Sequence, residues 1–421
     1  MSDALIKVPK GTRDLSGDEV AAFVALENVA RGVFEKFGFR ELRTPIFEHV
    51  ELFSRSLGET SDVVEKEMFT FSDRGERDFA LRPEGTAGVV RHLVENSLWV
   101  KSGLQRLFYM GPMFRAERPQ AGRYRQFWQI GSEYFGSSDP AADADTVLIG
   151  WQILRGFGID NILVHVNSLG CSQCRPAHRA ALLAFLRERA SQLTEESRNR
   201  MEKNPLRVLD SKVDGPKLAG APEMKDFLCA DCRAHHEQFI RMISDAGIRF
   251  EENPRLVRGL DYYTRTVFEF VSPDLGAQSA VAAGGRYDDL VHMLGGPVTP
   301  AVGFALGIDR VVSIRLKNGW AETAFSPKKA MVVSLGEATR DLCFGIAQAL
   351  RAGGFSVPPI TPGKKLKSQL SAAVDNGAKW AILVGEDEMK SNLLTVKNLE
   401  TRTQDQVPAS RLHDHLVGAP V

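Results

Sequence analysis

Four arginines, Arg115, Arg118, Arg123 and Arg125, and one acid, Glu117, fall within eleven residues of the segment 111–136. A guanidinium donates hydrogen bonds in a planar fork that matches phosphate oxygens, as the point charge of lysine does not, so the cluster suits a polyanion. The segment reads as a strand, a turn and a returning strand, with Arg115 at the end of the first strand and the others in or beside the loop. On the returning strand Gln129 and Glu133 are four residues apart, which puts them on one face of an extended chain, where both can line a single pocket. A solvated arginine-rich hairpin would use the same residues.

Four further segments carry comparable chemistry. At 256–270 (LVRGLDYYTRTVFEF), Arg258 and Asp261 flank a glycine ahead of Tyr262 and Tyr263. Glycine beside arginine lets the backbone approach a ligand, and tyrosine offers an apolar face with a polar tip. A turn with partly buried tyrosines is the alternative. At 282–291 (AAGGRYDDLV), paired glycines precede Arg286 and Tyr287 and suggest a tight approach to a small molecule. At 301–311 (AVGFALGIDRV), a small apolar strand enters a helix with Arg310 in its first turns, where anionic groups are favoured. A packing strand with an exposed arginine has the same pattern. At 81–88 (LRPEGTAG), Glu84 stands at a strand-to-helix turn and Thr86 in the first helical turn, although the acid could simply cap the helix. No phosphate-loop, nucleophile-elbow or protein-kinase signature accompanies these segments.

Two CxxC pairs, Cys171 with Cys174 and Cys229 with Cys232, are separated by 54 residues. They can supply four thiolates to tetrahedral zinc if the intervening chain brings them together, or remain four free thiols. Cys343 falls on a helical face as a small core residue.

The elements that must position these residues are legible in the hydrophobic pattern. Across 421 residues, 43% are hydrophobic and 25% charged, which suits a globular chain of two or three domains. The 53 Lys plus Arg balance 53 Asp plus Glu, so nucleic acid would be bound through local basic surface and not by bulk charge. No apolar run approaches the ~20 residues that cross a bilayer, and the opening residues lack the apolar core of a secretory signal. A soluble, intracellular protein in a reducing compartment is expected. Helical spacing marks 18–36, 85–95, 143–156 and 309–317. Extended chain is expected over 39–53 around Pro45, followed by a polar loop over 58–66. Strands are expected at 67–71, 78–81, 107–114, 126–135, 163–166, 267–270 and 280–283. Strands crowd around a few helices without regular βαβ alternation, which predicts an α+β fold with a mostly antiparallel sheet. From Gly170 to about Phe250 the pattern is charged and helical, as at 177–193 and 234–246, and reads as an inserted helical module. After a polar linker at 318–329, strands at 330–335, 355–357 and 380–384 alternate with helices near 342–350 and 366–374, the mark of a small α/β domain.

Taken together the segments resemble those of class II aminoacyl-tRNA synthetases, and specifically the histidyl-tRNA synthetase family. FRAERPQAGRYRQF resembles the class's second signature motif, GFALGIDR the third, and the stretch around Pro45 the first, which in this class builds the dimer interface. LVRGLDYY and AAGGRYD resemble two segments peculiar to the histidine branch, and KGTRDL at 10–15 also matches. The resemblance covers nearly the whole chain. It implies a catalytic domain over 1–325, carrying the insertion at about 170–250, and an anticodon-binding domain over 326–421. It implies the substrates ATP, L-histidine and tRNA(His), with Mg2+ bridging the phosphates, a homodimer, a cytoplasmic location and no membrane. Histidine would be activated to histidyl-adenylate and then esterified to the terminal adenosine of the tRNA.

Residue by residue, the resemblance implies that Arg115 holds the α-phosphate, Arg258 acts beside it from the opposite side and Arg310 holds the γ-phosphate. Glu117 and Arg123 would touch the nucleotide, with Phe127 stacked on adenine. Glu84, Gly85, Thr86, Gln129, Glu133, Tyr262, Tyr263 and Tyr287 would form the histidine pocket with Arg115 and Arg258. Trp128 stands where relatives more often carry histidine. Any zinc on Cys171, Cys174, Cys229 and Cys232 would be structural. Lys364, Lys365 and Lys367 would meet anticodon-stem phosphates, in a domain with twelve Lys plus Arg against nine acids from Lys328 onward; a solvated helix face would carry the same lysines. The rival is the synthetase-like regulatory subunit of ATP phosphoribosyltransferase, against which Arg258 and the C-terminal domain count. A stand-alone tRNA-binding or stress-sensing module is a third reading.

Overall fold

In a computed structural model of the chain, two compact units span Met1–Trp320 and Ala321–Val421. The structure describes residues 5–58, 61, 63–101, 103–118, 122–209, 211, 213–257, 262–275, 280–319 and 328–418. Arg258 and Asp261 therefore lie outside the described residues.

The first unit contains eleven strands among its described residues: β1 (Arg40–Glu41), β2 (Phe47–His49), β3 (Thr70–Ser72), β4 (Asp78–Leu81), β5 (Gln105–Phe114), β6 (Gln126–Phe135), β7 (Leu163–Ser168), β8 (Phe250–Glu252), β9 (Thr264–Val271), β10 (Ala280–Arg286) and β11 (Ala301–Gly307). Eight of them form one sheet in the order β1-β5-β6-β11-β10-β9-β7-β8. Its five inner pairings are antiparallel, and only the two short edge strands, β1 and β8, pair in parallel. The spine is the β5–β6 hairpin, ten residues in each arm.

Period-two alternation divides this sheet into two faces. Phe108, Ile130, Val166, Phe268 and Phe304 enter one core, with the helices Gly17–Lys36, Pro140–Gly156 and Ile308–Lys317. Leu107, Tyr109, Phe135 and Val267 enter a second core, with the helices Val50–Leu57 and Thr86–Glu95. A three-stranded sheet, β2-β4-β3, lies beside that second core.

The helical segment after Gly170 divides between two environments. Leu182, Leu186, Val208 and Leu218 form a small core of their own, whereas Phe239 and Ile243 of the helix Ala230–Asp245 are completely buried in the main core. That last helix is a wall of the first unit's main core.

The second unit is a four-stranded sheet, β12 (Ala330–Ser334), β13 (Trp380–Val384), β14 (Leu393–Asn398) and β15 (Gln404–Pro408), in sequence order. Only the β12–β13 pairing is parallel. Helices Arg340–Ala352 and Leu366–Asp375 pack against it, and Cys343 is buried in its core as expected of a small core residue.

Three expectations differ from the structure. The extended stretch around Pro45 stops at His49, because Phe53, Ser56 and Leu57 are all buried, and that i, i+3, i+4 spacing shares one face of a helix but not of a strand. The strand at 67–71 is displaced to Thr70–Ser72, behind a π-helical turn at Val63–Glu67. Residues 355–357 make no strand; Ser356 forms a single bridge with Lys329 while Phe355 and Val357 fill the core.

Candidate active site

Along β6 the pleat turns Phe127, Gln129 and Glu133 to the face of the second core, and Trp128, Ile130 and Tyr134 to the other. Trp128 thus packs edge-on against Phe23 at 6.3 Å, and its backbone N–H donates to Asp309 at 2.7 Å. The residues on the first of these faces border a cleft of about 370 Å³. It is also lined by Arg115 and Arg123 from the hairpin, Arg310 from the start of the Ile308–Lys317 helix, Glu84 and Thr86 from the turn after β4, and Tyr262, Tyr263 and Tyr287. Every described residue assigned to nucleotide or histidine from the sequence is therefore at this cleft except Gly85. A Cβ on Gly85 would lie 2.2 Å from the Tyr109 ring, so its place is beneath the wall, where only glycine fits.

The cationic part of the cleft is only partly neutralised. Arg115 donates through Nε to the carbonyl of Pro83 at 3.0 Å and lies 5.4 Å from the Phe127 ring centre. Glu117 is 2.7 Å from Arg123 and 3.9 Å from Arg115. Arg310 donates to the carbonyl of Ala280 at 2.7 Å, and burial, with Arg123 nearby, lowers its pKa. Of the hairpin's other arginines, Arg118 is exposed and Arg125 donates to the carbonyls of Glu117 and Lys10; neither lines the cleft.

Several of the residues that the resemblance assigns to histidine form a buried network. Glu133 accepts from the Thr86 hydroxyl at 2.7 Å and from the Tyr287 hydroxyl. Its carboxylate lies across Gly303 on the neighbouring strand, where a Cβ would come within 1.9 Å of Oε2. Burial pushes its pKa up to about 8; the two hydroxyls pull the other way and the charge of Glu84 adds to the rise. Glu84 is also raised by burial, although it accepts the N–H groups of Thr86 at 2.6 Å and Ala87 at 2.8 Å. It caps the helix and lines the cleft at once. The Gln129 Oε1 atom is buried with no hydrogen-bond partner among the described residues.

Arg286 does not approach a small molecule. It is wholly buried away from the cleft, bonded to Asp143, Asp288 and the carbonyls of Ser137 and Asp139. Its paired glycines make room for neighbours instead: a Cβ on Gly284 would meet the Gly303 carbonyl at 2.2 Å, and one on Gly285 would meet Tyr263 at 2.9 Å. Conversely, three positioning residues, Asp309, Tyr124 and Tyr109, have no role that the sequence assigns. Asp309 joins Trp128 to Arg13, which donates to it at 2.8 Å and stacks 3.7 Å over Tyr124. Arg13, Tyr124 and Asp309 lie in three separate motif segments, and only the closed chain shows that these side chains meet. Tyr109, opposite Gly131 in the β5–β6 register, is buried beside Glu84 and Glu133; burial and those two carboxyls hold its phenol well above the ordinary value.

Apart from the cleft, the four cysteine Sγ atoms of Cys171, Cys174, Cys229 and Cys232 all lie within 4.8 Å of one another, with Cys171 at 3.6 Å from Cys174 and 4.0 Å from Cys229. A zinc tetrahedron with Zn–S bonds of about 2.3 Å has S···S edges of about 3.8 Å. Burial opposes ionisation of Cys171, but the N–H groups of Cys174 and Gln173 and the neighbouring thiols outweigh it and bring the thiol to about 7. Cys232 is pushed up by burial and the other thiols.

The sequence model of histidyl-tRNA synthetase matches residues 11–311, and that of an anticodon-binding domain matches residues 329–418. The histidine–tRNA ligase of Trichlorobacter lovleyi is 46% identical over 400 residues, covering 94% of each chain. The chain belongs to the histidyl-tRNA synthetase family. The histidine–tRNA ligase of Aquifex aeolicus is 45% identical, covering 97% of this chain and all of that one. The crystal structure of Staphylococcus aureus histidyl-tRNA synthetase superposes with a TM-score of 0.81 at 31% identity, covering 98% of this chain and 100% of the other. As a family member matched through both units, the chain is an aminoacyl-tRNA ligase whose substrates are histidine, ATP and tRNA. The regulatory-subunit reading is disfavoured, since that protein typically lacks an anticodon-binding domain.

Proposed function

We propose that this cleft joins histidine to ATP as histidyl-adenylate and then transfers the histidyl group to the terminal adenosine of tRNA(His). The observation that carries the reading is the meeting of Arg115 and Arg123, from the β5–β6 hairpin, and Arg310, from a distant helix start, with a buried carboxylate-lined hollow. An amino-acid α-carboxylate, with a pKa of about 3.5, is already ionised at neutral pH, so activation needs no general base. The task is to bring that anion to an α-phosphorus ringed by negative oxygens. Fixed guanidinium groups lower the barrier because charge spreads onto the phosphoryl oxygens in the transition state. Arg115 takes the α-phosphate, Arg310 the γ-phosphate, and Glu117 and Arg123 the nucleotide, with adenine on Phe127. Arg258 is assigned the position across from Arg115 by its match to the family segment alone.

In the hollow, Glu133 faces the imidazole, with Thr86 and Tyr287 holding its carboxyl and Tyr262 and Tyr263 forming the wall. Glu84 and the unpartnered Gln129 oxygen suit the α-ammonium. A site of buried polar groups rejects ligands that leave those groups unpaired. Glu117 and Glu269, both in the cleft, offer the oxygen donors that Mg2+ takes, and the ion would neutralise phosphate charge.

Around this centre, Lys364, Lys365 and Lys367 are exposed at the start of the Leu366–Asp375 helix, as contact with anticodon-stem phosphates requires. Ile46, Phe47 and Phe71 form an exposed apolar patch on the three-stranded sheet, with Phe47 51% exposed, in the segment resembling the class's dimer motif. A second copy of the chain is its proposed cover. The four cysteines are read as holding one structural Zn2+, and unpaired cysteines agree with a cytoplasmic location. No helix among the described residues is long and apolar enough to cross a membrane.

The reading is tested by histidine-dependent exchange of pyrophosphate into ATP, with the other amino acids as controls. Exchange with histidine alone is expected, and its absence removes the reading. Arg258→Ala is expected to abolish exchange with the thermal midpoint unchanged; near-wild-type exchange would strip Arg258 of its role.

A further inference from the structure

The cysteine cluster sits where two helices begin. Cys174 immediately precedes Arg175, the first residue of the Arg175–Glu188 helix, and Cys229 precedes the Ala230–Asp245 helix. The second helix is rooted in the main core through Phe239 and Ile243. The first is tied to the same body by contacts that run to the histidine pocket. Arg175 donates through Nε to the carbonyl of Leu169 at 3.3 Å and through Nη2 to the carbonyl of Tyr263. Two backbone bonds reinforce the junction: Leu169 N–H to Arg265 carbonyl at 2.6 Å, and Arg265 N–H to Gly170 carbonyl at 2.9 Å.

This junction is close-packed. Gly170 has φ +62, and a Cβ there would lie 2.7 Å from that of Cys174. Arg265, two residues beyond Tyr263, holds φ +47, a left-handed conformation that costs a non-glycine residue free energy and persists only where its surroundings impose it. Among the described residues, Met224 and Leu228 complete a small buried cluster around the sulfurs, with Phe227 against it. So little apolar surface gives weak fixation, whereas a metal joining Cys171 and Cys174 to Cys229 and Cys232 would lock the two helix starts together.

We infer that zinc held by the four thiolates acts as a positioning device for the histidine pocket: it fixes Arg175, and Arg175 fixes the Tyr263 wall. The inference rests on the zinc reading and on the placement of histidine beside Tyr263, and it adds that metal loading tunes histidine affinity while leaving the nucleotide side unaffected. Zinc release, by chelation or by oxidation of the thiols to disulfides by a peroxide-class oxidant, would loosen that wall alone.

The test uses the full chain purified without chelator. Zinc content is measured by elemental analysis, histidine affinity by equilibrium dialysis with labelled histidine, and ATP affinity by the same method. One zinc per chain is expected. Stripping it should weaken histidine binding at least tenfold, change ATP binding less than twofold, and be reversed by added zinc. Arg175→Ala should weaken histidine binding to a similar degree with zinc still at one per chain, and Arg175→Lys should recover part of the loss. Unchanged ATP binding shows that each form remains folded. Equal histidine affinity with and without zinc, at one zinc per loaded chain, overturns the positioning role and leaves the zinc reading standing. Protein that takes up no zinc, even when it is added, overturns both; normal zinc content with no histidine binding in the wild type overturns the placement of the pocket and the inference with it.

Discussion

Two carboxyl groups, each fully buried within the same unit, have opposite fates. Asp143, on the helix-covered side of the large sheet, faces Arg286 and His235; burial works against its charge, but those partners hold its pKa below the ordinary range. Glu133, on the cleft side, has hydroxyl partners and a second acid nearby, and burial drives it to about 8. A buried charge that the protein itself pairs belongs to the scaffold. One supplied only with hydroxyls is suited to a cation or proton brought by a ligand, and this difference separates structural from binding polarity more sharply than burial or residue type.

The largest effect expected from this comparison is on the scaffold. Arg286→Met leaves the buried Asp143 charge with only His235, 3.6 Å away, of its two facing partners, and should cost about 3–5 kcal/mol of stability. A denaturant titration checks it, and a loss below about 1 kcal/mol would erase the distinction. Glu133→Gln should keep the folded state at least as stable as wild type, yet lower kcat/KM for histidine about 100-fold, roughly 2.7 kcal/mol of transition-state stabilisation. Unchanged pyrophosphate exchange would show that Glu133 does not meet the imidazole.

Next is the pH dependence of the KM for histidine. If the bound pair, imidazole and Glu133, shares one proton, the free partners already carry one between the imidazole pKa of about 6.5 and the Glu133 value of about 8. Below that window binding must release a proton, and above it binding must take one up, so KM should be lowest inside it and rise up to tenfold per pH unit on either side. Glu133→Gln should flatten the limb just above pH 8; a limb that persists assigns the titration to another group. The smallest effect is expected at Arg123, 41% exposed and paired with Glu117. Exposed pairs contribute about 0–1 kcal/mol, so Arg123→Ala should raise the KM for ATP only a few-fold and leave stability unchanged.

Much of the architecture was legible because long amphipathic stretches commit themselves locally. The first helix follows its hydrophobic period, Asp78–Leu81 and Gln126–Phe135 are rich in strand-forming aromatic and apolar residues, and Trp380–Val384 is an unbroken apolar run of strand length. Strand β15 left little trace: Gln404, Asp405 and Gln406 face solvent at a sheet edge, so no apolar alternation marks it, whereas β14 does carry Leu394 and Val396 two apart in the core. Val50–Leu57 was misread because short apolar runs are ambiguous until their burial partners are known. In the site, residue types and spacing marked the segments that line the cleft, whereas the assignment of individual side chains to nucleotide or histidine came from the resemblance to the family. Arg286 was misplaced because a glycine pair before an arginine looks alike whether a ligand or a neighbouring strand fills the space.

The amino-acid order by itself determined the kinds of chemistry present: guanidinium groups for phosphate, acids and tyrosines for a small polar ligand, and two thiol pairs. It also determined that Gln129 and Glu133 share a face, since pleating is a local property of the chain. Only the tertiary structure decided that Arg310 borders the cleft while Arg286 serves the scaffold, that thiols 54 residues apart meet, and that Glu133 holds its proton near neutrality. Desolvation and through-space charge depend on which distant segments close around a group, and that information belongs to the packed chain as a whole.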